Sequence, residues 1–327
     1  MTLHPALIFA GGLVIILLGA ELVLRGASRI AAMLGIPPMI IGVTVVSVGT
    51  SMPELAVGVT AVTDGMGSLA VGNIAGTNIL NILFIMGLSA AIRPLKLHLA
   101  SIRLDLPVMI ASAIILFIMA VDGVLTRMEG IVLVLASILY AIALVLHSKK
   151  ESVEIKKEYE EEFGLNSLLK NRSKLTMTIN AAILLIGIAL SVLGANLLVE
   201  GAVSIALGLG VSEAVIGLTI VAIGTSAPEL ATTMVATYKD ERDVAVGNLI
   251  GSSISNILVI LGLTCIVAPD GIDIGRDVLW IDLPLAAAVA IVCYPVFRSG
   301  QMVTRKEGIA FVSAYLIYML ILIFFRT

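Results

Sequence analysis

Charge is scarce in this chain. Of 327 residues only 13% are Asp, Glu, Lys or Arg, and there are three histidines, two cysteines and one tryptophan. Soluble domains carry about 25% charged residues. What replaces charge is apolar: 59% of residues are hydrophobic and the mean hydropathy is +1.11. Such a chain cannot cover a water-facing surface, and it reads as an all-α integral membrane protein. The thin histidine supply excludes more. His4, His98 and His147 lie at the terminus or between apolar runs, so no H-E-x-x-H face exists for an intramembrane metalloprotease. No nucleophile–base pair with a histidine is in place for a membrane enzyme either, and the chain is not expected to be one. Cys265 and Cys293 fall inside apolar runs, which argues against a disulfide framework. No basic segment or A-x-A site precedes the first apolar run, so no cleaved signal peptide is expected.

A helix needs roughly 20 apolar residues to cross a hydrocarbon core ~30 Å thick. Runs of that kind predict ten spans, near 5–25, 38–62, 69–92, 104–120, 129–146, 178–199, 213–237, 244–267, 279–297 and 307–325. They are apolar on both faces, unlike the alternating segments of a β-barrel. With the N-terminus outside, all basic residues except Arg127, Arg276 and Arg326 fall on the cytoplasmic side. Arg25 and Arg29 count there as part of the first connection. The positive-inside rule then puts both termini outside and the central loop in the cytoplasm.

The chain also repeats itself. An offset of 175 residues aligns Gly19-Ala20 with Gly194-Ala195, Gly26-Ala27 with Gly201-Ala202, Gly42 with Gly217 and Thr44 with Thr219. The same offset carries GTSMPE at 49–54 onto GTSAPE at 224–229, and Ala70-Val71-Gly72-Asn73 onto Ala245-Val246-Gly247-Asn248. It still holds at Asn81-Ile82-Leu83 and Asn256-Ile257-Leu258. Five spans per copy is an odd number, so the second copy must enter the membrane from the opposite side. The expected architecture is two inverted five-helix repeats, residues 1–147 and 176–327, joined by a charged cytoplasmic linker at 148–175. Inverted repeats allow one part to rock against the other around a midplane site.

Each repeat interrupts its second span with polar groups. Pro53 has no N–H, so the Gly49 carbonyl loses its helical partner, and the same holds for Pro228 and Gly224. Unpaired backbone at that depth is tolerated where protein or a bound ion satisfies it. Glu54 lies three and four residues from Ser51 and Thr50, which puts all three on one helix face; Glu229, Ser226 and Thr225 repeat the pattern. The following span carries Asn73, Thr77 and Asn81 at four-residue spacing, matched by Asn248, Ser252 and Asn256. Gly72, Gly76, Gly247 and Gly251 leave room for close helix contact. This all-oxygen inventory suits hard cations such as Ca²⁺ or Na⁺ rather than zinc or copper. A carboxylate at bilayer depth costs on the order of 3 kcal/mol on insertion scales and is functional by default. Two facing carboxylates repel unless neutralised, which one Ca²⁺, sodium ions or protons would each achieve. Elsewhere, Glu21 is placed to pair with Arg25 four residues on. Glu213, Asp105 and Asp282 sit at expected helix starts, where acidic residues are favoured.

Paired GTSMPE and GTSAPE segments, each followed by a G-N-x-x-G-[TS]-[NS]-x-x-N-I helix, resemble the α-repeats of the calcium/cation antiporter superfamily, and in particular prokaryotic sodium/calcium exchangers. The resemblance implies a plasma-membrane antiporter exchanging Ca²⁺ for Na⁺ by alternating access. It implies that Glu54 and Glu229 bridge Ca²⁺, with the carbonyls of Thr50 and Thr225 completing its shell. Ser51 with Thr77, and Ser226 with Ser252, would line flanking sodium sites, and Asn81 and Asn256 would border the central position. Some members carry Asp at one of those last two positions; here both are Asn, which removes a negative charge. Ca²⁺/H⁺ antiport by the same two glutamates is the alternative, with potassium co-transport and a cation channel as further readings. The expected partners are the ions and the lipid bilayer. No resident cofactor, nucleic acid or obligatory protein partner is expected.

Overall fold

The structure is a computed structural model that describes residues 4–36, 38–96, 101–162, 174–209, 222–268 and 270–326. Among these, seven helices are long and apolar enough to cross a membrane, and a bent pair makes an eighth candidate. In chain order, α1 is Pro5–Leu34, α2 Pro38–Thr50, α3 Met52–Thr63, α4 Gly67–Ile92, α5 Arg103–Ala120 and α6 Arg127–Glu162. Then come α7 Lys174–Gly208, α8 Ala222–Thr225, α9 Ala227–Tyr238, α10 Arg242–Val267, α11 Val278–Arg298 and α12 Arg305–Arg326.

Several helices overrun their expected ends. The first continues to Leu34 because nothing stops it before Gly35, whose left-handed backbone (φ 67°) terminates it. Arg25 and Arg29 are therefore on the helix itself and not in a connection. Helix α6 runs through the first part of the charged linker to Glu162, as an interleaved Glu/Lys sequence permits. The expected seventh span begins in residues outside those described, so Glu213, Gly217 and Thr219 cannot be placed.

Helices α1 and α7 lie against each other along most of their length. Glycine makes this approach possible. A Cβ at Gly19 would sit 2.5 Å from the backbone nitrogen of Ser191, one at Gly187 2.6 Å from that of Val23, and one at Gly201 2.5 Å from that of Phe9. Gly12, Gly19 and Gly26 recur every seven residues, as do Gly187, Gly194 and Gly201, so each helix presents a flat seam to its partner. The other faces of these helices carry exposed Leu7, Val14, Leu18, Leu175, Ile179 and Ile186, which is where lipid belongs. Helices α4 and α10 form the centre. In each, 78% of the best spanning window is buried, against 17% for α6.

Two short antiparallel ladders tie loops together at the ends of the bundle. Strand β1 (Leu95–Lys96) pairs with β4 (Met302–Val303), and β2 (Val124–Leu125) with β3 (Ile272–Asp273). Helices α4 and α10 also widen into π-helical turns, at Leu80–Met86 and Asn256–Leu261. Such turns often mark functional positions, and here each one includes or begins at an asparagine singled out by the repeat.

Candidate ion-binding site

The proline in each polar segment sets the geometry. Helix α2 ends at Ser51 (φ −84°, ψ 12°), and α3 restarts with Pro53 in its first turn at an angle of 41°. Ser226 repeats this (φ −90°, ψ 10°), with Pro228 in the first turn of α9. A missing N–H costs nothing at a helix start, where the first N–H groups have no partner in any case. The Gly49 carbonyl is not left bare, because a backbone N–H at the cap donates to it. The break therefore serves to aim side chains more than to free that carbonyl. It puts Glu54 and Glu229 each in the first turn of a new helix, where backbone dipoles favour a negative charge.

Both carboxylates are fully buried, and they lie close enough to repel one another. Each is held by a serine from the opposite motif: Ser51 Oγ donates to Glu229 Oε1 at 3.1 Å, and Ser226 Oγ donates to Glu54 Oε1 at 3.4 Å. The shared helix face of Ser51 and Glu54 is thus not what pairs them. The hydroxyls of Thr50 and Ser252 also lie beside Glu229. The second oxygen of each carboxylate has no protein partner.

The other expected residues are also withdrawn from the surface, Thr50 and Ser252 beside Glu229 among them. Thr50, Thr77, Ser252, Asn81 and Asn256 are all buried, and Thr225 is half-buried. Both amide atoms of Asn81 lack a protein partner, as does Asn256 Oδ1. Unsatisfied buried polar atoms cost about 1–3 kcal/mol each, so this concentration of them points to a place built for a polar guest. No cluster of three or more His, Cys, Asp or Glu side chains occurs among the described residues. The donor set is two carboxylates with hydroxyls and amides, the oxygen chemistry of hard cations.

Three nearby residues, Thr232, Thr233 and Asn78, escaped the sequence reading. Asn248, part of the polar stripe but given no ligand role, accepts from Thr50 Oγ1 at 3.4 Å and donates to Thr233 Oγ1 at 3.3 Å. Thr232, one turn beyond Glu229, is buried with its hydroxyl unpartnered. Both threonines stand where the first repeat has Val57 and Gly58, so repeat matching hides them. Asn78 bonds across to α10 and is taken up below. Other expectations resolve outside the site. Glu21 pairs with Arg25 at 2.7 Å and also with Lys239 at 2.5 Å. Asp105 does not cap its helix through its side chain; it accepts a hydrogen bond from Tyr140 at 2.8 Å.

A cavity of about 430 Å³ adjoins the site on one side, lined by Met52, Pro53, Val57, Asn196, Glu200 and Thr225 among others. The repeat mates of Asn196 and Glu200 are Glu21 and Arg25. At those positions of the first repeat the Glu21–Arg25 and Glu21–Lys239 ion pairs draw α1 and the end of α9 together.

Comparison with known proteins places the chain. The profile of the sodium/calcium exchanger protein family matches residues 4–146 and 179–324. CaxA of Alkalimonas amylolytica is 37% identical over 95% of this chain and 96% of its own. Sodium/calcium exchanger MaX1 of Methanosarcina acetivorans is 30% identical over 97% of this chain and 98% of its own. The solved sodium/calcium exchanger from Methanococcus jannaschii superposes with a TM-score of 0.82 at 26% identity, covering 98% of this chain and 99% of that one. The protein is thus a multi-pass membrane transporter of the cation-antiporter class. It belongs to the sodium/calcium exchanger family.

Proposed function

We propose that this protein exchanges Ca²⁺ for Na⁺ across the plasma membrane by alternating access, with the ions held at mid-membrane between Glu54 and Glu229. The observation that carries the reading is the crossed pair of hydrogen bonds, Ser51 to Glu229 and Ser226 to Glu54, which brings two buried carboxylates from separate repeats into one place. Two negative charges are balanced by one Ca²⁺, or by monovalent ions in its absence, so the two cargoes exclude each other. Ser51 with Thr77, and Ser226 with Ser252, would take sodium; the Thr50 and Thr225 carbonyls and the amides of Asn81 and Asn256 would complete the central shell. Relatives named as sodium/calcium exchangers favour Na⁺ as the counter-ion.

The architecture we infer is ten spans in two inverted five-helix repeats. Adding α12, and the broken span that ends in α8 and α9, to the eight candidates gives that number. The ladders support the inversion. Strand β3 follows β1, and β4 follows β2, at nearly the repeat offset, so the β1–β4 and β2–β3 pairings are mates of one another. Each also joins two connections that a ten-span topology puts on the same side of the membrane; the positive-inside count is what supports termini outside and a cytoplasmic 148–175 linker. The family matches fall one to each proposed half, 1–147 and 176–327.

Uptake of ⁴⁵Ca²⁺ into proteoliposomes under separately imposed Na⁺, H⁺ and K⁺ gradients tests the coupling. Flux driven by the sodium gradient supports the reading. Flux that ignores sodium and follows a pH gradient rejects it in favour of Ca²⁺/H⁺ antiport by the same glutamates. Single-channel currents would instead mark a channel.

A further inference from the structure

The two central asparagines are repeat mates, yet the structure treats them differently. Asn256 Nδ2 donates to Asn78 Oδ1 at 3.1 Å, and Asn78 Nδ2 donates to the backbone carbonyl of Ser253 at 3.1 Å. A carbonyl can only accept, so the nitrogen of the Asn78 amide must face it. The Asn78 oxygen must then face Asn256, and Asn256 must turn its own nitrogen toward that oxygen. The remaining atom, Asn256 Oδ1, is buried without a partner. It stands one turn beyond Ser252, whose hydroxyl lies beside Glu229. One backbone carbonyl thus settles the orientation of two amides in sequence.

Asn81 has no such constraint. Neither of its amide atoms has a protein partner, so it can offer oxygen or nitrogen. The repeat mate of Asn78 is Ser253, whose hydroxyl donates to Leu249 O at 3.0 Å within its own helix and does not reach across. The relay exists on one side only.

We propose that Asn78 is a positioning residue that commits Asn256 to face the transported cation with its oxygen. Asn256 is therefore the fixed amide ligand and Asn81 the adjustable one. This rests on the site reading given above, and it concerns a residue that would not itself touch an ion. A partner behind a ligand commonly carries a 10–100-fold effect on metal affinity.

The test is a double-mutant cycle read as half-saturating Ca²⁺ in proteoliposome exchange, with E54Q as the check on the site itself. Asn78→Ala is expected to raise half-saturating Ca²⁺ about ten-fold, N256A to do the same, and N78A/N256A to be no worse than N256A alone. Ser253→Ala should leave it unchanged. A merely structural role for Asn78 would lower the amount of folded transporter without moving half-saturation, and its effect would add to that of N256A; either result overturns the proposal. If N78A does not fold, Asn78→Ser in the same cycle replaces it, judged by the same additivity. Inactive E54Q alongside wild-type half-saturation in N78A sinks this inference alone. Active E54Q sinks the site reading, and this inference with it.

Discussion

Each carboxylate in the site depends on a serine supplied by the other motif, so the first repeat sets the charge environment of the second and the reverse. The Ser51–Glu229 bond is the shorter of the two, at 3.1 Å against 3.4 Å. A hydrogen bond to a charged group contributes roughly 1.5–3 kcal/mol. Ser51→Ala is therefore expected to weaken Ca²⁺ binding by about ten-fold or more, and S226A by less, read as half-saturating Ca²⁺ for exchange. Glu54→Gln and Glu229→Gln should each abolish Ca²⁺ exchange while the purified proteins still elute as folded monodisperse species; retained exchange in either would remove that carboxylate from the site. The polar residues themselves were legible, because GTSMPE and GTSAPE are conspicuous in apolar surroundings. The crossing was not. Helical spacing groups Ser51 with Glu54, and only the packing of α2 and α3 against α8 and α9 reassigns the serine to Glu229.

At the level of elements, helix α1 shows how close contact constrains sequence. A side chain at Gly194 would put its Cβ 2.8 Å from the Ile16 Cα, a backbone atom that cannot yield cheaply. Overpacking of this kind typically costs about 1–3 kcal/mol. Gly194→Val should lower the thermal unfolding midpoint in detergent by several degrees, whereas Gly11→Ala, with no described atom within 4 Å of its Cβ, should not. Equal midpoints would show that the seam tolerates slack. The glycines of this seam appear in the repeat alignment as Gly19 with Gly194 and Gly26 with Gly201, so their presence was readable. Their partners were not, since a heptad of glycine says that a helix is approached but not by what. The π turns at Leu80–Met86 and Asn256–Leu261 also left no sign in hydropathy, because one extra residue in a turn does not change an apolar run.

For the whole molecule, the asymmetry between the two sides of the site is what a single structure shows of transport. Near-identical repeats should build near-identical surroundings for the site, yet Met52 and Pro53 in the cavity wall are exposed or half-buried where their repeat mates Ala227 and Pro228 are buried. Val57 is half-buried in the wall of the cavity, and its repeat mate Thr232 is fully buried. The difference coincides with an ion pair at the end of the helix that carries the buried mates, where Lys239 holds Glu21 on α1. Both partners keep some exposure, 41% and 23%, so the pair contributes about 1 kcal/mol or less. That is enough to bias an equilibrium several-fold without locking it. Cysteine accessibility tests this in a natural background, since Cys265 and Cys293 are buried. A membrane-impermeant maleimide should label V57C from outside and leave T232C unlabelled from either side. Adding Lys239→Ala should raise T232C labelling from the cytoplasmic face by a few-fold and lower V57C labelling in step, because opening one path closes the other. Labelling of T232C that rises while V57C stays constant would mean that the two paths open independently, and alternating access would fail as the mode of transport.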